Sequence, residues 1–192
     1  MSIGKIRIGI GHDTHRFHGD EEMERIAMEA RNAGKDFTPA LRIGGVSIPY
    51  ERTLKGHSDA DVLLHAVADA VLGAAGLDDI GEHFPDTSEE NRGRDSAEIL
   101  RISWELAAAK GWRIANLDTI VFAQTPKMSP FKRQIQSRIA GILGIEPDQV
   151  GVKAKTGEGI GIIGRRGDFR RSGGTSGEVA FLGRGADEAG LG

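Results

Sequence analysis

The segment from Asp59 to Ala75 constrains the fold of this chain most, because it is apolar almost all round at helical spacing. A helix of this composition must be buried beneath other elements. Asp61, His65 and Asp69 interrupt it at four-residue steps and form one polar stripe. Burying such groups is costly unless they are paired or bind a metal, so the stripe predicts a functional site. An ordinary exposed face with Asp-His pairs is the alternative.

The composition excludes several kinds of chemistry. The 192 residues contain no cysteine, so a transition metal must be held by His, Asp or Glu. The formal net charge of -3 is too close to neutral for sequence-independent nucleic-acid binding. No apolar stretch reaches the roughly 20 residues that cross a bilayer, and no secretory pattern opens the sequence. We therefore expect neither nucleic acid nor membrane as a partner, and a cytoplasmic location, or the plastid stroma in a plastid-bearing organism.

Hydrophobic periodicity predicts an α+β fold in which one mixed β-sheet carries helices on one face. The predicted strands are Lys5 to Gly11, Leu41 to Ile48, Leu117 to Gln124, Val150 to Lys155 and Gly177 to Leu182. The predicted helices are Asp59 to Ala75, Ser96 to Lys110, and a third that starts with Ser129 as N-cap and ends near Gly144. We expect a single domain over residues 1–183, with surface insertions at 20–40 and 166–177, and a flexible tail at 184–192. A short surface helix is expected from Asp20 to Ala33.

A second candidate site lies where the first predicted strand ends, in Gly11-His12-Asp13-Thr14-His15. In an extended chain, residues i and i+2 point to the same side, so Asp13 and His15 can offer an oxygen and a nitrogen to one ion. An Asp-capped turn with a solvated histidine is the alternative. If these two residues meet His65, they form a two-His, one-carboxylate site with an open position, which is the ligand set of a catalytic zinc.

The other carboxylates near His65 receive supporting roles. Asp61 or Asp69 would hold a histidine ligand from outside the metal site. Asp59 lies off the stripe and is interpreted as a charge at the helix start.

Three further segments carry polar groups on predicted loops. The acidic run from Asp78 to Thr87 suits hydrogen bonds to substrate hydroxyls, although a solvated loop is the simpler interpretation. The segment from Ala123 to Ser129 leads into a helix N-terminus and favours an anion or a nucleobase edge; a plain turn is as compatible. Thr156 and Glu158 offer a hydroxyl for phosphate and a carboxylate for a hard cation such as Mg²⁺.

Taken together, these segments resemble the 2-C-methyl-D-erythritol 2,4-cyclodiphosphate synthase family of the non-mevalonate isoprenoid pathway. The resemblance covers most of residues 5–165 in several blocks. They are Arg7-Ile8-Gly9 with Asp13-x-His15, Ile43-Gly44-Gly45-Val46 with Ile48-Pro49, His57-Ser58-Asp59-x-Asp61 with His65, Asp79-Ile80-Gly81 with Phe84-Pro85-Asp86-Thr87, Pro126-Lys127-Met128, and Thr156-x-Glu158.

The resemblance implies a role for each block. Zinc is expected on Asp13, His15 and His65, and a second cation, Mg²⁺ or Mn²⁺, on Glu158. His57 and Thr156 are expected to stabilise the transition state. The residues expected to touch the phosphates and the methylerythritol are Asp13, His15, His57, Ser58, Asp79, Ile80, Gly81, Phe84, Pro85, Asp86, Thr87 and Ser88. Those expected around the cytidine and its phosphates are Ala123, Gln124, Thr125, Pro126, Lys127, Met128, Ser129, Lys155, Thr156, Gly157 and Glu158.

The implied reaction is an intramolecular phosphoryl transfer, which makes the protein a metal-dependent phosphorus–oxygen lyase. The 2-phosphate of 4-diphosphocytidyl-2-C-methyl-D-erythritol 2-phosphate attacks the β-phosphorus, and CMP leaves. The alternatives are a metal-dependent phosphohydrolase and a non-catalytic trimer that binds an isoprenoid diphosphate.

The resemblance also implies an α/β sandwich of ferredoxin-like βαβ topology and a homotrimer with active sites between subunits. An isoprenoid diphosphate is expected in a central cavity near Ile162 and Arg165. Lys155-Thr156-Gly157 departs from the consecutive threonines usual in the family, so we expect altered contacts around Lys155.

Overall fold

The computed structural model describes residues 6–158 and 174–185. In chain order its elements are β1 (Ile6–Arg16), α1 (Asp20–Asn32), β2 (Ala40–Ile43), β3 (Val46–Pro49), α2 (Val62–Ala75), α3 (Ile80–His83), α4 (Ser96–Ala109), β4 (Trp112–Phe122), α5 (Lys132–Leu143), β5 (Val150–Lys155) and β6 (Gly174–Gly185). Single 3₁₀ turns lie at Glu89–Asn91, Ser129–Phe131 and Pro147–Gln149. Of the helices in this part of the chain, none is long and apolar enough to cross a membrane.

Four strands form a mixed sheet in the order β1-β6-β4-β5. β6 is antiparallel to both of its neighbours, and β4 is parallel to β5. β1, β4 and β5 therefore run in one direction, and their carboxyl ends share one end of the sheet. α2 packs against β1 and β6, α5 packs against β5, and α4 contacts α2 and β4. These contacts confirm the predicted mixed sheet with packed helices, and β4–α5–β5 is a βαβ unit of the expected kind.

Two glycines let α2 lie directly on β1. A Cβ atom at Gly9 would overlap the carbonyl oxygen of Ala70, and one at Gly11 would overlap that of Ala66. The same face of β1 continues into Asp13 and His15, because alternate residues of a strand point the same way. The close approach therefore brings the first turn of α2 over the carboxyl end of β1.

α2 forms the centre of the core, as its composition predicts. Twelve of its 14 residues are buried. Its start differs from the prediction: Asp61 is the N-cap, and its side chain accepts a hydrogen bond from the Leu64 N–H. Ala60 has a φ of 58°, which is incompatible with a helix, so Asp59 lies outside the helix and the interpretation of Asp59 as a helix-start charge is wrong.

The continuous strand predicted from Leu41 to Ile48 is wrong. Gly44 and Gly45 have φ values of 62° and 74° and form the turn of the β2–β3 hairpin. Strand-forming residues on both sides of this turn obscured it, although a Gly-Gly pair is a hairpin signal.

The boundaries of four further predicted elements also shift. β1 continues past Gly11 to Arg16, and β4 already begins at Trp112, because both strands pair with the long β6. Ser129 is not a helix N-cap, since it opens a 3₁₀ turn and α5 starts at Lys132 without a side-chain cap. β6 includes residues 174–177 of the predicted second insertion and residues 184–185 of the predicted tail. In the predicted first insertion, residues 20–32 form α1, which has no buried residue.

The outward face of β1 carries three isoleucines. Ile6, Ile8 and Ile10 are 49%, 68% and 77% exposed. They point away from α2, since the residues that alternate with them pack beneath that helix. The sheet thus presents an apolar stripe on the face opposite the core.

Candidate functional site

Three predicted metal ligands converge at the carboxyl end of β1. Asp13 Oδ2 lies 3.0 Å from His15 Nε2 and 2.9 Å from His65 Nδ1, and the two nitrogens are 3.3 Å apart. A tetrahedral zinc with bonds of about 2.0–2.1 Å separates neighbouring ligand atoms by about 3.3 Å. The three donor atoms are thus close to the spacing that one small cation requires.

The hydrogen bond to the outer nitrogen of His15 sets its tautomer. Nδ1 lies 2.8 Å from the Lys55 carbonyl oxygen, which can only accept, so Nδ1 carries a proton. In the neutral imidazole, Nε2 then points a lone pair at Asp13 Oδ2. A lone pair facing a carboxylate oxygen is repulsive unless a proton or a cation lies between them, so the geometry fits a metal ion.

Electrostatics keep the Asp13 carboxyl ionised. Burial raises its pKa, but His15 and His65, when protonated, donate hydrogen bonds to the carboxylate and attract its charge, and together they outweigh burial and hold the pKa well below its ordinary value. For His15, burial lowers the pKa and the hydrogen bond and charge of Asp13 raise it, with a net increase. The centre therefore offers a charged carboxylate at neutral pH, which is the form that binds a cation.

The other two carboxylates of the predicted stripe bind backbone groups instead of the metal ligands. Asp61 is fully buried and accepts hydrogen bonds from the N–H groups of Gly44 at 2.8 Å and Gly45 at 2.6 Å. Burial raises its pKa against the opposing effect of these hydrogen bonds. Asp69, whose pKa burial also raises, accepts from the Ile80 N–H at 2.9 Å. The prediction that either one supports a histidine ligand by contact is wrong: Asp61 holds the β2–β3 turn, and Asp69 holds α3.

The groups that do contact the outer nitrogen of His65 are serines. Nε2 lies 3.0 Å from Ser58 Oγ and 2.9 Å from Ser96 Oγ. The hydroxyl of Ser96 donates to the carboxylate of Asp59. Sequence reasoning missed this role of Ser96, which lies 31 residues from His65 and belongs to no local motif that signals the contact.

A cavity of about 270 Å³ opens beside the three ligands. Nine of the predicted site residues line it, together with three residues that were not predicted. The predicted ones are Asp13, His15, His57, Ser58, His65, Ile80, Gly81, Phe84 and Asp86, and the additional ones are Gly56, Asn91 and Ile99.

Four predicted residues of the same loop do not line this cavity: Asp79, Pro85, Thr87 and Ser88. The Asp79 carboxylate accepts from the Glu82 N–H as the N-cap of α3. The Pro85 carbonyl accepts from the side-chain amide of Asn91. These bonds shape the loop that the lining residues belong to.

The segments predicted to bind cytidine form a second group. They follow the adjacent strands β4 and β5 and are joined to each other, since the Ala123 N–H donates to the Lys155 carbonyl at 3.0 Å. Thr125 Oγ1 lies 2.7 Å from the Tyr50 hydroxyl, and the Thr156 hydroxyl donates to the Glu158 carboxylate. None of residues 123–129 and 155–158 lines the cavity beside the metal ligands. Ile162 and Arg165 lie outside the described residues.

Comparisons with known proteins identify the family and the fold of this chain. A family model described as the YgbB family matches residues 6–170. The 2-C-methyl-D-erythritol 2,4-cyclodiphosphate synthase of Alkaliphilus oremlandii is 46% identical over 159 residues, which cover 83% of this chain and 90% of the relative.

Two solved structures share the fold. The bifunctional IspDF of Campylobacter jejuni superposes with a TM-score of 0.79 and 34% identity over 96% of this chain, which spans only 43% of that longer protein. IspF of Plasmodium falciparum in a CDP complex gives a TM-score of 0.72 and 32% identity, covering 97% of this chain and all (100%) of that one.

Proposed function

The chain belongs to the YgbB family, and we propose that it carries out cyclodiphosphate synthesis at the centre formed by Asp13, His15 and His65. It is a 2-C-methyl-D-erythritol 2,4-cyclodiphosphate synthase, a phosphorus–oxygen lyase of isoprenoid biosynthesis. The observation that carries the assignment of the site is the convergence of three donor atoms at the wall of a cavity that also holds His57 and Ser58.

The substrate is a cytidine diphosphate ester, 4-diphosphocytidyl-2-C-methyl-D-erythritol 2-phosphate. An oxygen of its 2-phosphate forms a bond to the β-phosphorus. The bond from that phosphorus to the oxygen bridging the α-phosphate breaks, and CMP leaves with this oxygen and the bonding electron pair. The 2,4-cyclodiphosphate forms without water and without a nucleophilic side chain, so catalysis consists of positioning and charge neutralisation.

Zinc is the ion proposed for the three ligands. Two imidazoles and one carboxylate suit zinc better than Mg²⁺ or Ca²⁺, which prefer oxygen, and leave a fourth position for a phosphate oxygen. When bound, zinc supplies Lewis-acid charge that lowers the repulsion between the two phosphates. Asp13, His15 and His65 hold it, while His57 and Ser58 orient the β-phosphate at the cavity wall.

A second cation and the cytidine occupy the other group of residues. The Glu158 carboxylate would hold Mg²⁺ or Mn²⁺, which would neutralise charge on the diphosphate, and Thr156 would donate its hydroxyl to the transferring phosphate. Residues 123–129 surround the cytidine. The CDP complex of the Plasmodium falciparum relative supports a cytidine subsite in this fold.

The proposed active form is a homotrimer with each active site between two subunits. Two observations support it. The cytidine segments line no part of the cavity beside the metal ligands of their own chain, which is what a site completed by a neighbouring chain would require. The exposed isoleucines of β1 provide an apolar face that a neighbouring subunit would cover.

Phosphorus NMR of the protein with substrate, zinc and Mg²⁺ tests the reaction. We expect a cyclic diphosphate and CMP in equal amounts. A linear diphosphate formed with water would identify a phosphohydrolase instead, and unchanged substrate in a zinc-loaded protein would contradict catalysis at this centre.

Glu158→Gln tests the division between the two cations. We expect it to raise the Mg²⁺ or Mn²⁺ concentration needed for turnover while zinc content stays unchanged, because the carboxylate charge serves the harder cation. Metal analysis measures the zinc content. The rate of turnover at increasing Mg²⁺ or Mn²⁺ concentrations measures the requirement for the second cation. Equal loss of the two metals would contradict the assignment.

A further inference from the structure

The outer nitrogen of His65 is joined to a half-buried carboxylate, that of Asp59, through one serine hydroxyl. Ser96 is the first residue of α4 and is wholly buried, and its Oγ lies 2.9 Å from His65 Nε2. The same hydroxyl donates its proton to Asp59 Oδ1. Asp59 is held in turn by the Asp61 N–H at 3.3 Å and by the Arg42 guanidinium, whose Nε lies 3.5 Å from Oδ2.

The direction of these hydrogen bonds determines which nitrogen of His65 carries the proton. A hydroxyl has one proton, and an ionised carboxylate only accepts, so Ser96 donates to Asp59 and accepts from His65. Nε2 of His65 is therefore protonated, and Nδ1 presents its lone pair to the position between Asp13 and His15. A serine without the carboxylate would not have this effect, since its hydroxyl can rotate and donate to Nε2 instead.

Ser58 cannot replace Ser96 in this role during turnover. Its Oγ is also close to His65 Nε2, at 3.0 Å, but it accepts from the Ala60 N–H as well and lines the cavity where a substrate phosphate would lie. A serine that turns toward phosphate loses its contact with the imidazole. Ser96 is buried and lies outside the cavity lining, so its contact persists with or without substrate.

We propose that Asp59 and Ser96 are positioning residues that lock His65 in its Nε2-protonated tautomer and thereby set the affinity of the three-ligand centre for its metal. This inference rests on the proposed zinc site. Neither residue lines the cavity beside the ligands, and both act through His65.

Zinc affinity, measured by competition with a chromophoric chelator, tests the proposal. Ser96→Ala is expected to weaken binding by about 10–100-fold, the usual effect of losing a partner that orients a metal ligand. Ser103→Ala is the matched control, because Ser103 is equally buried on the same helix and its hydroxyl only binds the Ile99 carbonyl of that helix. An equal effect of the two variants would overturn the proposal.

A double-mutant cycle tests whether Asp59 acts through Ser96. Asp59→Ala should weaken zinc binding in the wild-type background and change it by less than about twofold once Ser96 is alanine. The same loss in both backgrounds would mean that Asp59 acts by charge or folding alone, and would contradict the proposed chain of hydrogen bonds.

Long-range ¹H–¹⁵N NMR of the wild-type protein before zinc is added reads the tautomer directly, without the metal imposing it, and needs no variant. We expect a proton on Nε2 of His65 and an unprotonated Nδ1. The opposite tautomer would overturn the proposal even if a variant failed to fold. A wild-type protein that binds no zinc would instead contradict the proposed function, so the two failures are distinguishable.

Discussion

The two histidines of the metal centre are oriented by contrasting surroundings. His65 is 8% exposed, and its outer nitrogen meets the hydroxyls of Ser58 and of the buried Ser96, which donates to the half-buried carboxylate of Asp59. The outer nitrogen of His15 meets a main-chain carbonyl on an exposed residue, Lys55, whose ammonium pairs with Glu22 of α1 at 2.8 Å. One ligand depends on interior side chains, whereas the other depends on the path of a surface segment.

The surface segment is itself held mainly by backbone. The Lys55 N–H donates to the Arg16 carbonyl at 2.8 Å, and Phe17 and Leu54 form an isolated β-bridge. The position of a carbonyl that backbone hydrogen bonds hold in this way does not depend on the side chain of its residue. From this difference we expect that substitutions near His65 weaken metal binding, whereas substitutions on α1 near His15 change it little.

The largest loss of zinc affinity is expected from removing one of the metal ligands themselves. His65→Ala should lower zinc affinity by more than about 100-fold, beyond the effect of losing a hydrogen-bond partner, and reduce turnover to background. His12→Ala is the control, because His12 lies on the opposite face of β1. Zinc stoichiometry and the rate of CMP release measure both, and a zinc content like that of wild type in His65→Ala would refute the ligand assignment.

A substitution that moves α2, with His65, away from β1, with His15, should have the next largest effect. It is measured as a loss of unfolding free energy. In Gly11→Ala the new Cβ meets the carbonyl of Ala66, so α2 must move away from β1 at a cost of about 3 kcal/mol or more in unfolding free energy. Gly73→Ala, on the outer side of α2 with nothing within 4 Å of its Cβ, should be neutral or slightly stabilising. Urea denaturation compares the two; equal stability would contradict the close helix–strand contact.

The smallest change in zinc affinity is expected from substitutions in the surface segments around His15. Glu22→Gln removes the pairs with Lys55 and Arg16 and should change zinc affinity by less than about fivefold, as for other exposed ion pairs. Glu29→Gln is the control, because Glu29 lies on the same helix and its ion pair is with Arg25. A loss as large as that expected for Ser96→Ala would overturn the contrast between the two surroundings.

Acid pH probes the same ion pair. Hydrogen bonds from Lys55 and from the Gly19 N–H lower the pKa of Glu22 from 4.5 to about 2. A depressed carboxyl pKa stabilises the folded state above the unfolded pKa, and this contribution is lost as the pH falls toward 2. The stability difference between wild type and Glu22→Gln should therefore be constant above about pH 4.5 and vanish near pH 2. A difference that persists at pH 2 would assign the effect to packing.

Local periodicity predicted the parts of the site that depend on neighbouring residues. The placement of Asp13 and His15 on one side of a strand follows from the two-residue repeat, and the burial of α2 follows from its composition. Both are confirmed. The turn at Gly44 and Gly45 was missed because apolar residues on both sides masked a glycine pair.

The sequence did not predict which of the carboxylates near His65 supports the metal ligands. Asp59, Asp61 and Asp69 have the same chemistry, and helical spacing favoured Asp61 and Asp69 as supports for the metal ligands. In the structure it is Asp59 that is linked to His65, through the hydroxyl of Ser96, and the positive φ of Ala60 keeps Asp59 outside α2, which starts at Val62.

The sequence by itself determined the donor types, the buried helix and the family. Only the tertiary structure decided which groups reach the outer nitrogens of His65 and His15, because these partners lie 31 and 40 residues away along the chain. They are brought there because α4 packs against α2 and the segment before α2 pairs with the end of β1. Spacing along a chain specifies one face of one element, whereas a metal centre needs groups from several elements to meet within hydrogen-bond distance.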